Sequence, residues 1–174
     1  FAPSYNHSEN RLYFNSNISG KSQLYWVDLQ DIESSKPILA KGLLNNPAEN
    51  RSYFSFSDDG TVYLSAFRRT NKYPFVNIAQ SSIQRNAYSE PIFIESLSHN
   101  SFNGQATVSP NGSVMVFASD RINGKTTDLF ISYKDESGVW SEPIELSELN
   151  SDGNEITPFF YSDSLLFFSS DGLS

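Results

Sequence analysis

Ser109-Pro110-Asn111-Gly112-Ser113-Val114-Met115-Val116-Phe117-Ala118-Ser119 reads as a tight turn followed by a strand. Proline sets φ at the first turn position, and Asn and Gly tolerate the positive φ that follows. The β-branched and aromatic run after the turn suits a pleated, half-buried surface. The same order of signals recurs at Ser57-Asp58-Asp59-Gly60 before Thr61-Val62-Tyr63-Leu64-Ser65. Degraded copies stand at His7-Ser8-Glu9-Asn10 before Arg11, and at Tyr161-Ser162-Asp163-Ser164 before Leu165.

Two independent markers set the period. The large apolar residue near the end of each such strand is Phe14, Leu64, Phe117 and Phe168, at spacings of 50, 53 and 51 residues. The prolines Pro37, Pro91 and Pro143 lie 54 and 52 residues apart, the latter two in the near-identical segments Ser89-Glu90-Pro91-Ile92 and Ser141-Glu142-Pro143-Ile144. A repeat of about 50 residues holding several short strands is the signature of a propeller blade. In the third repeat the strands are expected at Gln105–Ser109, Val114–Ser119, Asp128–Tyr133 and Ile144–Leu146. No window carries a capped helical period. A long sandwich would not repeat its turn sequences at a fixed interval.

The expected fold is therefore all-β, with about 3.5 four-stranded antiparallel blades, either a partial propeller or part of a larger ring. Blade one covers about 1–46, blade two 47–100, blade three 101–151, and a partial blade four 152–174. Because such a count leaves edge strands open, the natural polypeptide is expected to be longer, or two chains to close one ring. The chain begins at Phe1 without Met, which reads as a processed form or fragment.

Composition narrows the function. The 174 residues are 38% hydrophobic and 14% aromatic, the balance of a globular chain. A net charge of −8, from 20 acidic and 12 basic residues, disfavours nucleic acid and anionic membrane surfaces. No apolar run is long enough for membrane insertion. The absence of cysteine removes disulfides, thiolate catalysis and Cys-ligated metals.

The repeat also resembles a known family. Ser109-Pro110-Asn111-Gly112, a strand ending Phe117-Ala118-Ser119-Asp120-Arg121, and then Asp128-Leu129-Phe130 resemble the TolB-like propeller repeat. Trp140-Ser141-Glu142-Pro143 followed by Asp152-Gly153-Asn154-Glu155 is similar to the subgroup found in bacterial envelope proteins, often fused to an OmpA-like domain. The resemblance spans the chain and is clearest in repeat three. Repeat two departs at Phe67-Arg68 and Lys72-Tyr73-Pro74, and repeat one has Asn10 where glycine is usual. The resemblance implies a binding or scaffolding role in the periplasm or at the outer membrane, with a protein partner or a glycan or peptidoglycan-associated one.

No catalytic residue, cofactor or metal site is expected. His7 and His99 lack ligand spacing, and there is no His-Glu-x-x-His, Gly-x-Ser-x-Gly or phosphate-binding glycine loop. Asp59, Gly60, Asn111 and Gly112 are read as structural turn residues, the Asx side chains bonding their own backbone. Candidate rim or pore contacts are Asp120, Arg121, Arg68, Arg69 and Trp140. Asp120-Arg121 reads either as a salt bridge between blades or as a polar contact at the pore. Arg68-Arg69 with Lys72 could dock an acidic partner. Trp140 and Tyr88 occupy matching positions 52 residues apart, as packing between blades or as a sugar-stacking platform; the match favours packing. The expected function is a non-catalytic interaction module of an envelope protein. The alternatives are an accessory propeller of a serine peptidase of the prolyl-oligopeptidase or tricorn type, and a carbohydrate-binding propeller.

Overall fold

The computed structural model describes residues 2–18, 20–31, 33–46, 49–67, 74–84 and 87–172. Three four-stranded antiparallel sheets follow one another along the chain, then a two-stranded hairpin. Sheet one is β1 (Ser4–Asn6), β2 (Arg11–Ser16), β3 (Gln23–Asp28) and β4 (Ile38–Leu39). Sheet two is β5 (Asn50–Phe56), β6 (Val62–Phe67), β7 (Val76–Ser81) and, after a small hairpin of β8 (Ile83–Gln84) and β9 (Ala87–Tyr88), β10 (Ile92–Phe93). Sheet three is β11 (Asn103–Val108), β12 (Val114–Ser119), β13 (Asp128–Tyr133) and β14 (Ile144–Glu145). β15 (Glu155–Ser162) and β16 (Leu165–Ser170) form the last hairpin. Each sheet is a propeller blade, with strands in simple up-and-down order from the inside outward.

The core lies between blades, and the period-two alternation of the strands divides it. On β6, Val62, Leu64 and Ala66 face blade one and join Tyr13, Leu24, Phe56 and Tyr88 in one cluster. The intervening Tyr63 faces blade three and joins Ile78, Met115, Phe117, Phe130 and Trp140 in a second. A central strand of this kind needs apolar residues on both faces, which is why Val62–Phe67 is apolar at every position but Ser65. Burying one such Leu or Phe side chain contributes about 1.5–3 kcal/mol.

Side chains close along the chain hold the turns. Asp59 accepts the Ser57 hydroxyl at 2.6 Å and the Thr61 amide at 2.8 Å. Asn111 accepts the Ser109 hydroxyl at 2.8 Å and the Ser113 amide at 2.9 Å. Gly60 and Gly112 have φ of 81° and 76°, and Asn10 takes the same left-handed role with φ 52°. Asn is among the few residues that enter this region cheaply, so the departure in repeat one costs the turn little. The turns also bind one another: the Asp58 amide donates to the Pro110 carbonyl at 2.8 Å, and the Asn111 amide to Asp163 at 3.0 Å.

One position in the linkers repeats a function that the turn signals do not reveal. Asn45 receives the Leu24 amide at 2.7 Å and returns a bond to the Leu24 carbonyl at 3.2 Å. Asn150 does the same for Leu129, at 2.8 and 3.2 Å. Each asparagine therefore clips the chain leaving its blade to the third strand of that blade.

Candidate functional site

The inner strands converge on a cavity of 530 Å³. Its wall is built from the same short stretch of four blades: Pro3–Tyr5, 53–55, 105–107 and 157–159. In three of these inner strands the lining stretch coincides with a break in the ladder. Register shifts fall between Ser52 and Ser55, between Gly104 and Thr107, and between Ile156 and Phe159. The residues in these bulges, Tyr53, Gln105 and Thr157, have φ of 53°, 53° and 50°. None is glycine or asparagine, and Thr is β-branched, so each holds a conformation that L residues resist. This explains why β11 begins at Asn103 rather than at the expected Gln105: Gln105 is the bulge itself.

The bulges are cross-linked between blades. The Gln105 amide donates to the Ser65 hydroxyl at 2.8 Å, and the Thr157 amide donates to the Gln105 side-chain oxygen at 2.8 Å. Further along, the Val108 amide donates to Ser55 at 3.0 Å and the Phe160 amide to Thr107 at 3.1 Å. The cavity wall is chiefly apolar, with Tyr5, Leu12, Phe54 and Pro158 beside these polar links.

Two residues before each bulge lies a buried polar side chain: Arg51, Asn103 and Glu155. Arg51 pairs with Glu49 at 2.8 Å and with Glu90 at 2.5 Å and donates to the Leu43 carbonyl. Asn103 donates to Asn77 at 3.1 Å and accepts the Ser119 hydroxyl at 2.8 Å. Glu155 accepts hydroxyls of Ser151 at 2.5 Å and Ser170 at 2.6 Å. Burial pushes the Glu155 carboxyl up, but these hydrogen bonds outweigh it and hold it below its ordinary value. Sequence reading missed this position because three different chemistries occupy it.

The expected rim residues lie elsewhere. Asp120 accepts the Phe102 amide at 2.8 Å, holding the start of its own blade's inner strand. Arg121 donates to the Leu97 carbonyl at 3.1 Å and to Asn103 at 2.5 Å, with its guanidinium 4.8 Å from the Phe130 ring. Among the described residues the two are not ion-paired with each other or across blades; the ion pairs there are Arg11–Glu9, Arg51–Glu49 and Arg51–Glu90. Neither lines the cavity. Trp140 is not at the rim: it is 3% exposed, edge-on to Tyr63 at 5.7 Å, with Lys134 donating to the Tyr63 hydroxyl at 2.7 Å beside it. Tyr88, 7% exposed, fills the corresponding place between blades one and two, so neither ring offers a free face for a sugar. Arg68, Arg69 and Lys72 fall outside the described residues.

Comparison with known proteins bears on the fold. No family model matches the chain, and no curated protein does. Among solved structures, TolB from Acinetobacter baumannii is 15% identical with a TM-score of 0.54, covering 99% of this chain and 42% of that one. The puromycin hydrolase S511A mutant complexed with PGG is 14% identical with a TM-score of 0.59, covering 98% of this chain and 27% of that one. The fold is a TolB-like β-propeller. The chain spans less than half the length of either neighbour. In the propeller, the cavity described above is the axial one, where all inner strands meet.

Proposed function

We propose that this propeller is a non-catalytic protein-interaction module of a bacterial cell-envelope protein, and that its partner enters the axial cavity as an extended peptide segment. The observation that carries the reading is the repeated left-handed bulge. Strained backbone persists where surrounding structure holds it, and it concentrates at functional positions. Here it recurs in successive blades and always at the same wall. A cavity of 530 Å³ with apolar walls and scattered polar groups suits a few residues of an extended chain. The acidic balance of the protein favours a neutral or basic segment. The envelope location rests on the repeat resemblance and on the TolB likeness.

A photo-crosslinking amino acid placed at Tyr53 tests this in bacterial envelope extract, with the same group at Ile144, on an exposed outer strand, as control. A single protein captured from position 53 and not from 144, and captured again when purified, supports the reading. Equal labelling from both positions overturns it.

The puromycin hydrolase match favours a second reading, an accessory propeller of a serine peptidase. A Gly-x-Ser-x-Gly nucleophile elbow in flanking coding sequence, together with labelling of the whole product by a serine-hydrolase reagent, would select it over the first.

A further inference from the structure

The wall of the axial cavity carries no charge. Its lining residues are alanine, proline, serine, threonine, leucine, tyrosine, phenylalanine and one glutamine, in a chain with 20 acidic and 12 basic residues. A lysine or glutamate side chain brought against this wall would lose its hydration and meet no opposite charge. Ring surface, by contrast, is at hand: Tyr5 and Tyr53 are half-buried and Phe159 is exposed.

The wall is also a poor template for an added strand. β1, β5, β11 and β15 are the terminal strands of their sheets, so each has one unpaired edge. A left-handed residue stands at one place in or just ahead of all four: Ala2, Tyr53, Gln105 and Thr157, at intervals of 51, 52 and 52 residues, with φ between 50° and 53°. A break of this kind interrupts the even run of donors and acceptors that strand pairing needs. Two of the amides at these positions are already engaged, Gln105 with the Ser65 hydroxyl and Thr157 with the Gln105 side-chain oxygen. Because that oxygen holds the Thr157 amide, the nitrogen of the same side chain is fixed as a donor on a residue that lines the cavity.

We infer that the segment received by this cavity is proline-rich and uncharged, and lies there as a polyproline II helix. The inference rests on the reading that an extended peptide enters the axial cavity, and it specifies that peptide's chemistry. Of the neutral and basic segments that an acidic protein favours, the uncharged wall selects the neutral. A polyproline II chain needs no hydrogen-bond ladder and is stiff before it binds, which lowers the cost of ordering it. Proline offers a carbonyl and no N–H. That suits a wall with a donor at Gln105 and with amides already engaged between blades. Proline rings pack on aromatic faces, here Tyr5, Tyr53 and Phe159, as they do in other aromatic-lined grooves.

Capped hexapeptides test the inference. The first is acetyl-Pro-Pro-Leu-Pro-Pro-Leu-amide. Two more carry lysine or glutamate in place of its first leucine. The last, acetyl-Thr-Val-Thr-Val-Thr-Val-amide, is an uncharged strand former. The readout is the side-chain amide resonance of Gln105 in the isotope-labelled chain, assigned by its loss in Gln105→Ala. Saturable movement is expected with the first peptide, and binding at least about tenfold weaker with the charged pair and with the strand former. Tyr53→Gly removes one ring and relieves the left-handed strain at that position, so it should keep its fold. It is expected to bind the first peptide about tenfold less tightly. Equal binding of the charged peptides or of the strand former, or a Tyr53→Gly variant that binds like the wild type, would overturn the proline-rich, uncharged chemistry while leaving the cavity a peptide site. A Gln105 resonance that none of the peptides moves would overturn both the inference and the reading beneath it.

Discussion

Gln105 and Thr157 occupy the same place in adjacent blades, both with left-handed backbone, and the side-chain oxygen of the first receives the backbone amide of the second at 2.8 Å. The strain of one blade is thus held by the side chain of its neighbour. Blade-to-blade contact here is directional as well as hydrophobic, and it lies on the wall of the axial cavity.

Thr157→Gly should stabilise the protein. A left-handed L residue costs about 1–2 kcal/mol, and glycine returns about 0.5–1 kcal/mol of that in unfolded-state entropy. A net gain of about 0.5–1 kcal/mol is expected in urea unfolding. Gln105→Ala keeps its own strain and loses the bond to Thr157, so it should lose about 1 kcal/mol.

Arg51 is buried between Glu49 and Glu90, whose side chains are 18% and 38% exposed. Arg51→Ala leaves two carboxylates facing a space without a cation and should cost about 3 kcal/mol or more. Glu90→Gln, at the wetter partner, should cost less than about 1 kcal/mol. Denaturant midpoints with unchanged slopes would check the order, and a larger loss from Glu90→Gln would contradict it.

Burial, with Glu9 adding to it, pushes the Tyr13 hydroxyl up to about 12 from 10.0. Its protonated form is favoured by folding, so its contribution is complete below the unfolded value and is lost as pH rises from 10.0 through about 12. Stability measured across that window should fall less steeply in Tyr13→Phe. Glu155 runs the other way: its carboxyl is lowered from 4.5, so its contribution is complete above 4.5 and is lost as pH falls. Glu155→Gln should lose about 1–3 kcal/mol at neutral pH and show a shallower acid limb.

The last hairpin presents Phe159 and Phe167, paired in register, at 44% and 54% exposure. The matching pairs Ser55–Tyr63 and Thr107–Val116 are all buried under a following blade. An apolar face of this kind drives association. Light scattering at increasing concentration should show self-association of this chain, and Phe159→Ser with Phe167→Lys should suppress it.

The turns were legible because their chemistry is local. Asp59, Gly60, Asn111 and Gly112 act on the backbone within a few residues, and Asn10 could be seen to stand in for glycine. The bulges were not legible: Tyr53, Gln105 and Thr157 carry none of the residue types that mark positive φ, and only alignment in the 52-residue register shows them to be one position. Asp120 and Arg121 were legible as a pair worth noting, but their partners, Phe102, Leu97 and Asn103, come from the turn around the sheet. Trp140 and Tyr88 align with each other by spacing, and their burial follows from the neighbouring blade each faces.

By itself the sequence determined the all-β class, the period and the turns, because alternation, turn chemistry and repetition are written in residues close along the chain. Only the tertiary structure decided which polar side chains meet. Arg51 meets Glu90 across the face of one four-stranded sheet, and Arg11 meets Trp26 on the neighbouring strand, while Gln105 meets Thr157 only because adjacent sheets stack. A contact between blades depends on the twist and offset of whole sheets, which no local spacing encodes.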